Sequence, residues 1–332
     1  MHVTRRHILR LAGVASTSAA LAGAFAAEGM AQTQTASGST PAPTVGPLPF
    51  ALTTPMHVEA ACLRVRDLDL VSGYYKDVLK LEEISRTKDE MVLGAGGVAL
   101  LTLQHRPQAT IEDMGTAGLF HIAYLMPSRQ DLARWLVHIA MARVPVSGFA
   151  DHSVSEAVYL SDPEGNGIEV YADRPRDSWT WNGDVVTMGT HQLDVDGILA
   201  LADTKRDTYA AVPPALRIGH IHLKVGDVAK GFEFYGTGAG MQSTRGSRPD
   251  AAFVSSGRYH HHVAINSWNS QGAGPRDPST TGLDWFSLKL QNSTMLKERV
   301  AGFEKAGFTA QETPNGATVR DPWGTTLRLV VA

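Results

Sequence analysis

The sequence predicts an α+β fold in which four βαβββ modules associate into curved mixed sheets. The first observation is an internal repeat, because the segment Cys62–Leu68 recurs in closely related form as His222–Val228. The second is a pair of Asp-Pro-x-Gly turns, Asp162–Gly165 and Asp321–Gly324, each followed by an apolar strand. Units of roughly 50 residues are too small to bury a sheet face alone, so we expect them to pair.

Each module begins with a strand and continues into a helix. Apolar residues alternate along the strand that begins the first copy, as in a half-buried strand. A second repeat, Gly118–His121 with Gly282–Trp285, begins modules two and four. Apolar residues at helical spacing predict the buried faces of three helices: Leu70, Val71, Tyr74, Tyr75, Val78 and Leu79; Leu132, Trp135, Leu136 and Ile139; and Leu296, Val300 and Phe303.

The repeats also set the predicted domain organisation. The modules lie near residues 56–104, 117–172, 217–268 and 282–332. We predict a first domain over 56–175 with modules one and two, a polar linker over 176–215, and a second domain over 216–332 with modules three and four. The repeats alone leave open whether the sheets pair modules one with two and three with four, or one with four and two with three.

The composition is that of an ordinary globular protein, with 43% hydrophobic and 19% charged residues and a formal net charge of −3. Because the chain has no basic runs, no nucleic-acid partner is predicted. The single cysteine, Cys62, excludes an intrachain disulfide and a multi-cysteine metal site. The 13 histidines are the unusual feature and point towards metal or acid–base chemistry.

Residues 1–31 have the pattern of an export signal. A charged start with Arg5 and Arg6 precedes an apolar centre from Leu11 to Ala27 and small residues at cleavage-like spacing. The paired arginines resemble a twin-arginine signal, with an ordinary secretory signal or a lipid-free anchor as the alternative. Residues 32–55 are rich in Thr, Ser, Pro and Gly and are predicted to form a flexible tether. We therefore expect a periplasmic protein with no membrane span after signal cleavage.

The segment from His152 to Glu169 is the most specific motif in the chain. It reads His152, five residues, Val158-Tyr159, two residues, Asp162–Gly165, three residues, then Glu169. In spacing and residue type it resembles the extradiol ring-cleavage dioxygenase signature, with Ala150 as one departure at its start. With the repeated modules, the chain resembles the vicinal oxygen chelate superfamily, which includes glyoxalases, bleomycin-resistance proteins and extradiol dioxygenases. More narrowly, it resembles the two-domain catechol-2,3-dioxygenase group.

This resemblance implies metal ligands on the first and last strands of the modules. Modules two and three offer His121, Glu169 and His220 at those positions. Modules one and four offer residues that would not serve as ligands, namely Ala60, Trp285 and Arg328. Two histidines and one carboxylate form the facial triad typical of non-haem Fe(II), and Mn(II) accepts the same ligands. Because the triad is split, we expect module two to pack against module three.

Further histidines are candidates near the metal. His57 is an alternative second histidine ligand, although its odd offset from Ala60 points it to the opposite face of a regular strand. His222 shares a face with His220 and is predicted to support the ligands. If His260–His262 lies on the last strand of module three, His260 and His262 point to one face. Both are then candidates to support the site, and His262 is a candidate fourth ligand.

The resemblance also implies the reaction. His152 has the chemistry of an acid–base group, and the Tyr159 phenol can donate to a substrate oxygen. These roles imply an extradiol dioxygenase that inserts O2 into a catechol or substituted hydroquinone, in a monomer or a homo-oligomer. The alternatives are a glyoxalase-like metal lyase or isomerase, and a non-catalytic protein that binds an aromatic compound. The lyase generally needs a second carboxylate, and Tyr259–Ile265 contains none.

Overall fold

The fold is known from a computed structural model that describes residues 2–12, 48–246 and 248–331. The apolar centre of the predicted leader beyond Ala12, its cleavage-like sites and most of the predicted tether lie outside these residues. None of the described helices is long and apolar enough to cross a membrane.

Modules one and four form one mixed sheet of eight strands. The strands are β1 (Met56–Val65), β2 (Glu82–Arg86), β3 (Glu90–Ala95), β4 (Val98–His105), β15 (Gly282–Leu290), β16 (Ala310–Thr313), β17 (Gly316–Arg320) and β18 (Thr326–Val331). Their order is β16-β17-β18-β15-β1-β4-β3-β2. β1 and β15 pair antiparallel at the centre, and each pairs parallel with the last strand of its own module.

Modules two and three form a second sheet with the same arrangement. The strands are β5 (Gly118–Leu125), β6 (Gly148–Asp151), β7 (Ser155–Ser161), β8 (Gly167–Asp173), β11 (Arg217–Lys224), β12 (Gln242–Ser243), β13 (Ala251–Ser255) and β14 (Val263–Asn266). Their order is β12-β13-β14-β11-β5-β8-β7-β6. The connection between the sheets contains a small hairpin, β9 (Trp181–Asn182) and β10 (Val185–Val186).

The two sheets confirm the predicted α+β fold of paired modules. Each sheet takes one module from the first predicted domain, 56–175, and one from the second, 216–332. Modules two and three therefore share a sheet, which is the pairing that the split of the candidate ligands predicts. The boundaries of the two domains and of the linker over 176–215 stay predictions.

The described residues form six α-helices: α1 (Arg5–Leu11), α2 (Leu68–Val78), α3 (Arg129–Ala142), α4 (Val195–Leu199), α5 (Val228–Phe232) and α6 (Ser293–Lys305). A π-helical turn, Glu233–Gly238, continues α5. A side-chain oxygen caps the N-terminus of α2, α3, α5 and α6, from Asp67, Ser128, Asp227 and Asn292 respectively. Each such cap typically stabilises a helix by about 1 kcal/mol.

The buried faces of α2 and α6 differ from the prediction, because Tyr74, Leu296 and Val300 are only half-buried and Leu70 is exposed. Leu70 is 54% exposed, whereas Leu68, Val71, Tyr75 and Val78 are buried. Helical spacing alone could not separate these residues, because the predicted stripe was wider than the surface that the sheet covers.

Helix α1 packs on the folded body. Ile8 and Leu11 are buried, and α1 contacts α3 and α4. The Val3 amide donates to the Thr204 carbonyl over 2.7 Å. Arg5 and Arg6 are exposed. The described start of the predicted leader is thus a helix that contributes apolar side chains to the core.

Two tyrosines related by the internal repeat connect the sheets. The Tyr75 hydroxyl donates to Asp162 over 3.4 Å, and the Tyr235 hydroxyl donates to Asp321 over 2.8 Å. Each bond joins a helical segment of one module to the Asp-Pro-x-Gly turn of the next module, which belongs to the other sheet. The turns therefore also fix the sheets to one another.

We expect Tyr235→Phe to lower the free energy of unfolding by about 1–3 kcal/mol, because it removes a donor from the buried Asp321 carboxyl. Tyr75→Phe should cost less, since its bond is longer. The control is Tyr74→Phe, because the Tyr74 hydroxyl has no hydrogen bond among the described residues. Urea denaturation measures the midpoint of unfolding of each variant, and the midpoints are compared if the m-values agree. Equal midpoints for the Tyr235 and Tyr74 variants would show that the hydrogen bond between Tyr235 and Asp321 adds no stability.

Candidate metal centre and cavity

The candidate ligands lie on one face of the second sheet. Tyr159, Glu169, Ala123 and His220 are successive Cα partners across β7, β8, β5 and β11. His121 precedes Ala123 by two residues on β5, so its side chain points to the same face. Strand pairing thus brings together residues from two modules that are far apart in the sequence.

The three predicted ligands are in direct proximity. His121 Nε2 lies 2.9 Å from Glu169 Oε2, and His220 Nε2 lies 3.2 Å from the same oxygen. One ligand atom from each residue lies within 4.8 Å of the other two. All three side chains are buried. This is the geometry of a facial triad that closes around a single ion.

The protonation states also suit metal ligation. Burial lowers the pKa of His220 to about 4, although the Glu169 charge opposes that shift. Burial alone would raise the pKa of Glu169, but His220 and His121 hold it well below its ordinary value. Near neutral pH the cluster therefore combines a neutral His220 with an ionised carboxylate, and metal ions bind these forms.

Two buried nitrogen atoms of the cluster lack a partner. His121 Nε2 is close to Glu169 but makes no hydrogen bond of acceptable geometry, and His220 Nδ1 has no partner among the described residues. Buried polar atoms are usually satisfied, so an orphaned imidazole nitrogen beside a carboxylate needs a reason. A divalent cation where the three ligand atoms converge would be a partner for His121 Nε2. The residues present therefore fit a metal ion of the Fe(II) or Mn(II) class.

His152 and Tyr159 form a hydrogen-bonded pair beside the cluster. His152 Nδ1 lies 2.7 Å from the Gly189 carbonyl, and His152 Nε2 lies 2.6 Å from the Tyr159 hydroxyl. Because a carbonyl only accepts, Nδ1 carries the proton in the neutral ring and Nε2 accepts from the phenol. Burial and then the Glu169 charge raise the pKa of Tyr159 well above its ordinary value. Tyr159 therefore remains a hydrogen-bond donor.

His222 lies beside His121. The two residues are Cα partners on β11 and β5, and their ring centroids are 4.9 Å apart. Asn266 Nδ2 lies 2.9 Å from His222 Nε2 and donates to it. Burial, reinforced by the neighbouring histidines, lowers the pKa of His222 well below its ordinary value. His222 is thus a neutral ring held against a ligand.

The expected placement of His260 and His262 on one strand face is wrong. The run His260–His262 lies in the connection between β13 and β14, and β14 begins only at Val263. Strand alternation therefore does not apply to it. His262 points away from the metal cluster: its Nε2 lies 3.1 Å from the Ala51 carbonyl, and its Nδ1 lies 3.0 Å from Ser255 Oγ. These contacts leave His262 no role as a fourth ligand.

His261, which the sequence did not single out, is the member of this run that faces the cavity. Its ring centroid lies 4.1 Å from that of His220. His260 lies behind it, with Nδ1 atoms 2.8 Å apart, and His260 Nε2 lies 2.9 Å from Asp173 Oδ1. An Asp173–His260–His261 chain therefore leads from a carboxylate to the cavity.

The other sheet has no equivalent cluster among its described residues. His57 lies there on β1, with its Nδ1 3.4 Å from the Thr54 carbonyl, so it is not the second histidine ligand. At the positions that match His121 and Glu169, Arg328 Cζ lies 3.6 Å from the centroid of the Trp285 ring. A cation–π pair replaces the candidate metal ligands.

The cluster opens into a cavity of about 320 Å³. His121, Glu169, His220, His152, Tyr159 and His222 all line it. The sequence did not reveal its apolar wall, which is formed by Phe120, Phe149, Met188, Phe253 and Trp268. Met188 and Thr190 come from the predicted linker, so this segment also covers the site. These lining residues are far apart in the sequence and come together only in the folded chain.

Fold and site together define the class of protein. A family model described as "Glyoxalase/Bleomycin resistance protein/Dioxygenase superfamily" matches residues 56–170. The chain belongs to this superfamily. Within it, the chain is a homologue of the catechol-2,3-dioxygenase of Bacillus subtilis (strain 168). The two are 37% identical over 283 residues, which cover 80% of this chain and 94% of that enzyme.

Solved structures share the fold at low sequence identity. A candidate dioxygenase from Bacillus subtilis has a TM-score of 0.56 at 13% identity and covers 84% of this chain and 85% of its own. Glyoxalase I from Zea mays has a TM-score of 0.51 at 14% identity, with coverage of 85% and 94%. At these identities the likeness concerns the fold alone.

Proposed function

We propose that this protein is a metal-dependent extradiol dioxygenase that opens the ring of a catechol or substituted hydroquinone with O2. One observation carries the proposal: the His121–Glu169–His220 cluster and the hydrogen-bonded His152–Tyr159 pair line the same cavity. Homology to catechol-2,3-dioxygenase supports an aromatic diol as the substrate class.

His121, His220 and Glu169 would hold the ion, with Fe(II) as our proposal and Mn(II) as the alternative with the same ligand preference. When bound, such an ion supplies a Lewis-acidic, redox-active centre with coordination positions open to a diol and O2. Glu169 offsets part of its charge. The three side chains are buried, which limits the access of competing water.

His152 and Tyr159 would handle protons. The hydrogen bond from Nδ1 to Gly189 fixes the tautomer of His152, so that its Nε2 lone pair faces Tyr159. A diol hydroxyl that reaches this point can give its proton to His152 Nε2. The Tyr159 hydroxyl is then free to donate to a diol oxygen. A positioned acid–base group of this kind typically contributes about 10²- to 10⁴-fold in rate.

The alternatives have less support. A glyoxalase-like lyase of this fold generally uses a second carboxylate, and Glu169 is the only carboxylate among the described residues that line the cavity. A protein that only sequesters an aromatic compound has no need of a buried His-His-Glu cluster.

Oxygen uptake tests the proposal. The full chain, loaded with Fe(II) under anaerobic conditions, is mixed with catechol or methylcatechol and air-saturated buffer, with metal-free protein as the control. We expect O2 consumption that matches the formation of a yellow ring-opened semialdehyde. If the iron-loaded protein binds catechol but consumes no O2, the dioxygenase proposal is wrong and a sequestering function replaces it.

Export through a twin-arginine signal to the periplasm is a separate proposal. It is supported by the pattern of residues 1–31, in which Arg5 and Arg6 precede an apolar segment.

A further inference from the structure

The charges that line the cavity are unevenly distributed. Among the described lining residues, Glu169 is the only acid and lies between two imidazoles. Arg245 is the only arginine or lysine. It is half-buried in the wall that contains Phe253 and Trp268. Once Glu169 is committed to a divalent ion, no acid of this lining remains to balance Arg245.

Arg245 forms no ion pair within the described part of the chain, although a carboxylate is close in the sequence. Asp250 is fully engaged elsewhere: Arg248 Nε and Nη2 each donate to it over 2.9 Å, and Trp268 Nε1 donates over 3.0 Å. Burial lowers the pKa of Arg245 and the Arg248 charge acts in the same direction, whereas the Asp250 charge opposes both. An arginine nevertheless stays protonated in proteins. Its charge is therefore available to a ligand.

The guanidinium lies over an aromatic ring. Arg245 Cζ lies 5.0 Å from the centroid of the Phe253 ring. That ring is 5.2 Å from His261 and 6.0 Å from His222. A single aromatic ring thus separates Arg245 from the histidines next to the metal ligands. Stacking on an aromatic face leaves the edge of a guanidinium free to donate two parallel hydrogen bonds.

The cavity is larger than an unsubstituted diol needs. A cavity of about 150 Å³ is enough to hold benzene in another protein, whereas this one measures about 320 Å³. A ring bound at the metal cluster leaves space for a substituent, and Arg245 lines the same cavity.

We propose that the preferred diol carries a carboxylate substituent and that Arg245 binds this carboxylate. The inference rests on the proposed dioxygenase function and narrows its substrate class. Guanidinium groups recognise carboxylates through charge-assisted, bidentate hydrogen bonds. The buried Phe253 ring beside it strengthens that pair by limiting water on one side.

The test compares substrates that differ in one charge. The full Fe(II)-loaded chain is assayed with 3,4-dihydroxybenzoate and with its uncharged methyl ester. A third substrate, 3,4-dihydroxyphenylacetate, carries its carboxylate on a longer side chain. We expect kcat/KM to favour a carboxylate over the ester by about 10- to 100-fold, the range typical of a hydrogen-bonded charge. Arg245→Met should reduce this preference to about threefold or less, and Arg245→Lys should restore part of it.

Arg320→Gln is the matched control. Arg320 is exposed on the other sheet, and its substitution removes one positive charge, as Arg245→Met does. It should leave the preference unchanged. Anaerobic titration calorimetry with 3,4-dihydroxybenzoate gives a readout independent of turnover, and Arg245→Met should weaken that binding by a similar factor. The affinity of the wild-type protein should also fall as salt is added.

The outcomes distinguish a failure of the carboxylate specificity from a failure of the proposed dioxygenase activity. If no diol is cleaved, the dioxygenase proposal fails. If the ester and the acid are cleaved equally well, and Arg245→Met changes both alike, the reaction stands and the carboxylate assignment is wrong.

Discussion

Glu169→Ala is expected to abolish both metal binding and ring cleavage. Glu169 is the only carboxylate of the ligand cluster, and its Oε2 atom lies within 3.2 Å of both histidine ligands. Without it, two neutral imidazoles remain to bind a divalent ion. Because a metal centre contributes several kcal/mol and each 1.36 kcal/mol is tenfold in rate, we expect kcat to fall by at least about a thousandfold.

Metal content by mass spectrometry, measured with oxygen uptake on the same preparation, tests this expectation. Glu312→Ala is the control, since Glu312 is exposed on β16 of the other sheet. Thermal unfolding shows whether the Glu169 variant still folds. If the variant is folded and retains a full equivalent of metal and wild-type turnover, Glu169 is not a metal ligand.

His152→Gln is expected to lower kcat by about 10²- to 10⁴-fold without loss of metal. An amide can still contact Gly189 and Tyr159, but it has no imidazole that exchanges protons near neutral pH. Metal content should be unaffected, because His152 is not among the three residues that could hold the ion.

His105→Gln is the matched control for this variant. His105 is half-buried on β4 of the other sheet and does not line the cavity. Unchanged kcat in the His152 variant would mean that protons leave the diol by another route. His261 is then the next residue to test, because it also faces the cavity.

The repeat predicted more of the fold than the helical patterns did. The recurrence of Cys62–Leu68 as His222–Val228 reflects a real structural repeat, since both segments begin in the central strands β1 and β11. The split of His121, Glu169 and His220 over modules two and three then predicted which modules share a sheet. The exposure of Leu70 could not be predicted, because it depends on how far the sheet extends under α2.

The candidate site was predictable where residues lie on regular strands. His121, Glu169 and His220 come together because strand alternation and pairing register place them on one face. The errors fall where the backbone is irregular. The run His260–His262 precedes β14, so strand alternation does not apply to it. The prediction therefore assigned its side chains to the wrong faces and missed His261 as a cavity residue.

The cavity wall could not be read from the sequence for a different reason. Arg245, Phe253 and Trp268 meet there because strands β12 to β14 and their connecting loops converge in space. No local pattern in the sequence marks such a meeting point.

The central claim is that the metal cluster directs both atoms of O2 into an aromatic diol. The most direct measurement is mass spectrometry of the product formed by the Fe(II)-loaded full chain under ¹⁸O2, with borohydride quenching to trap the aldehyde. We predict one labelled oxygen in the new carboxylate and one in the alcohol derived from the aldehyde. A product without label, or an intact ring after O2 has been consumed, would contradict the account.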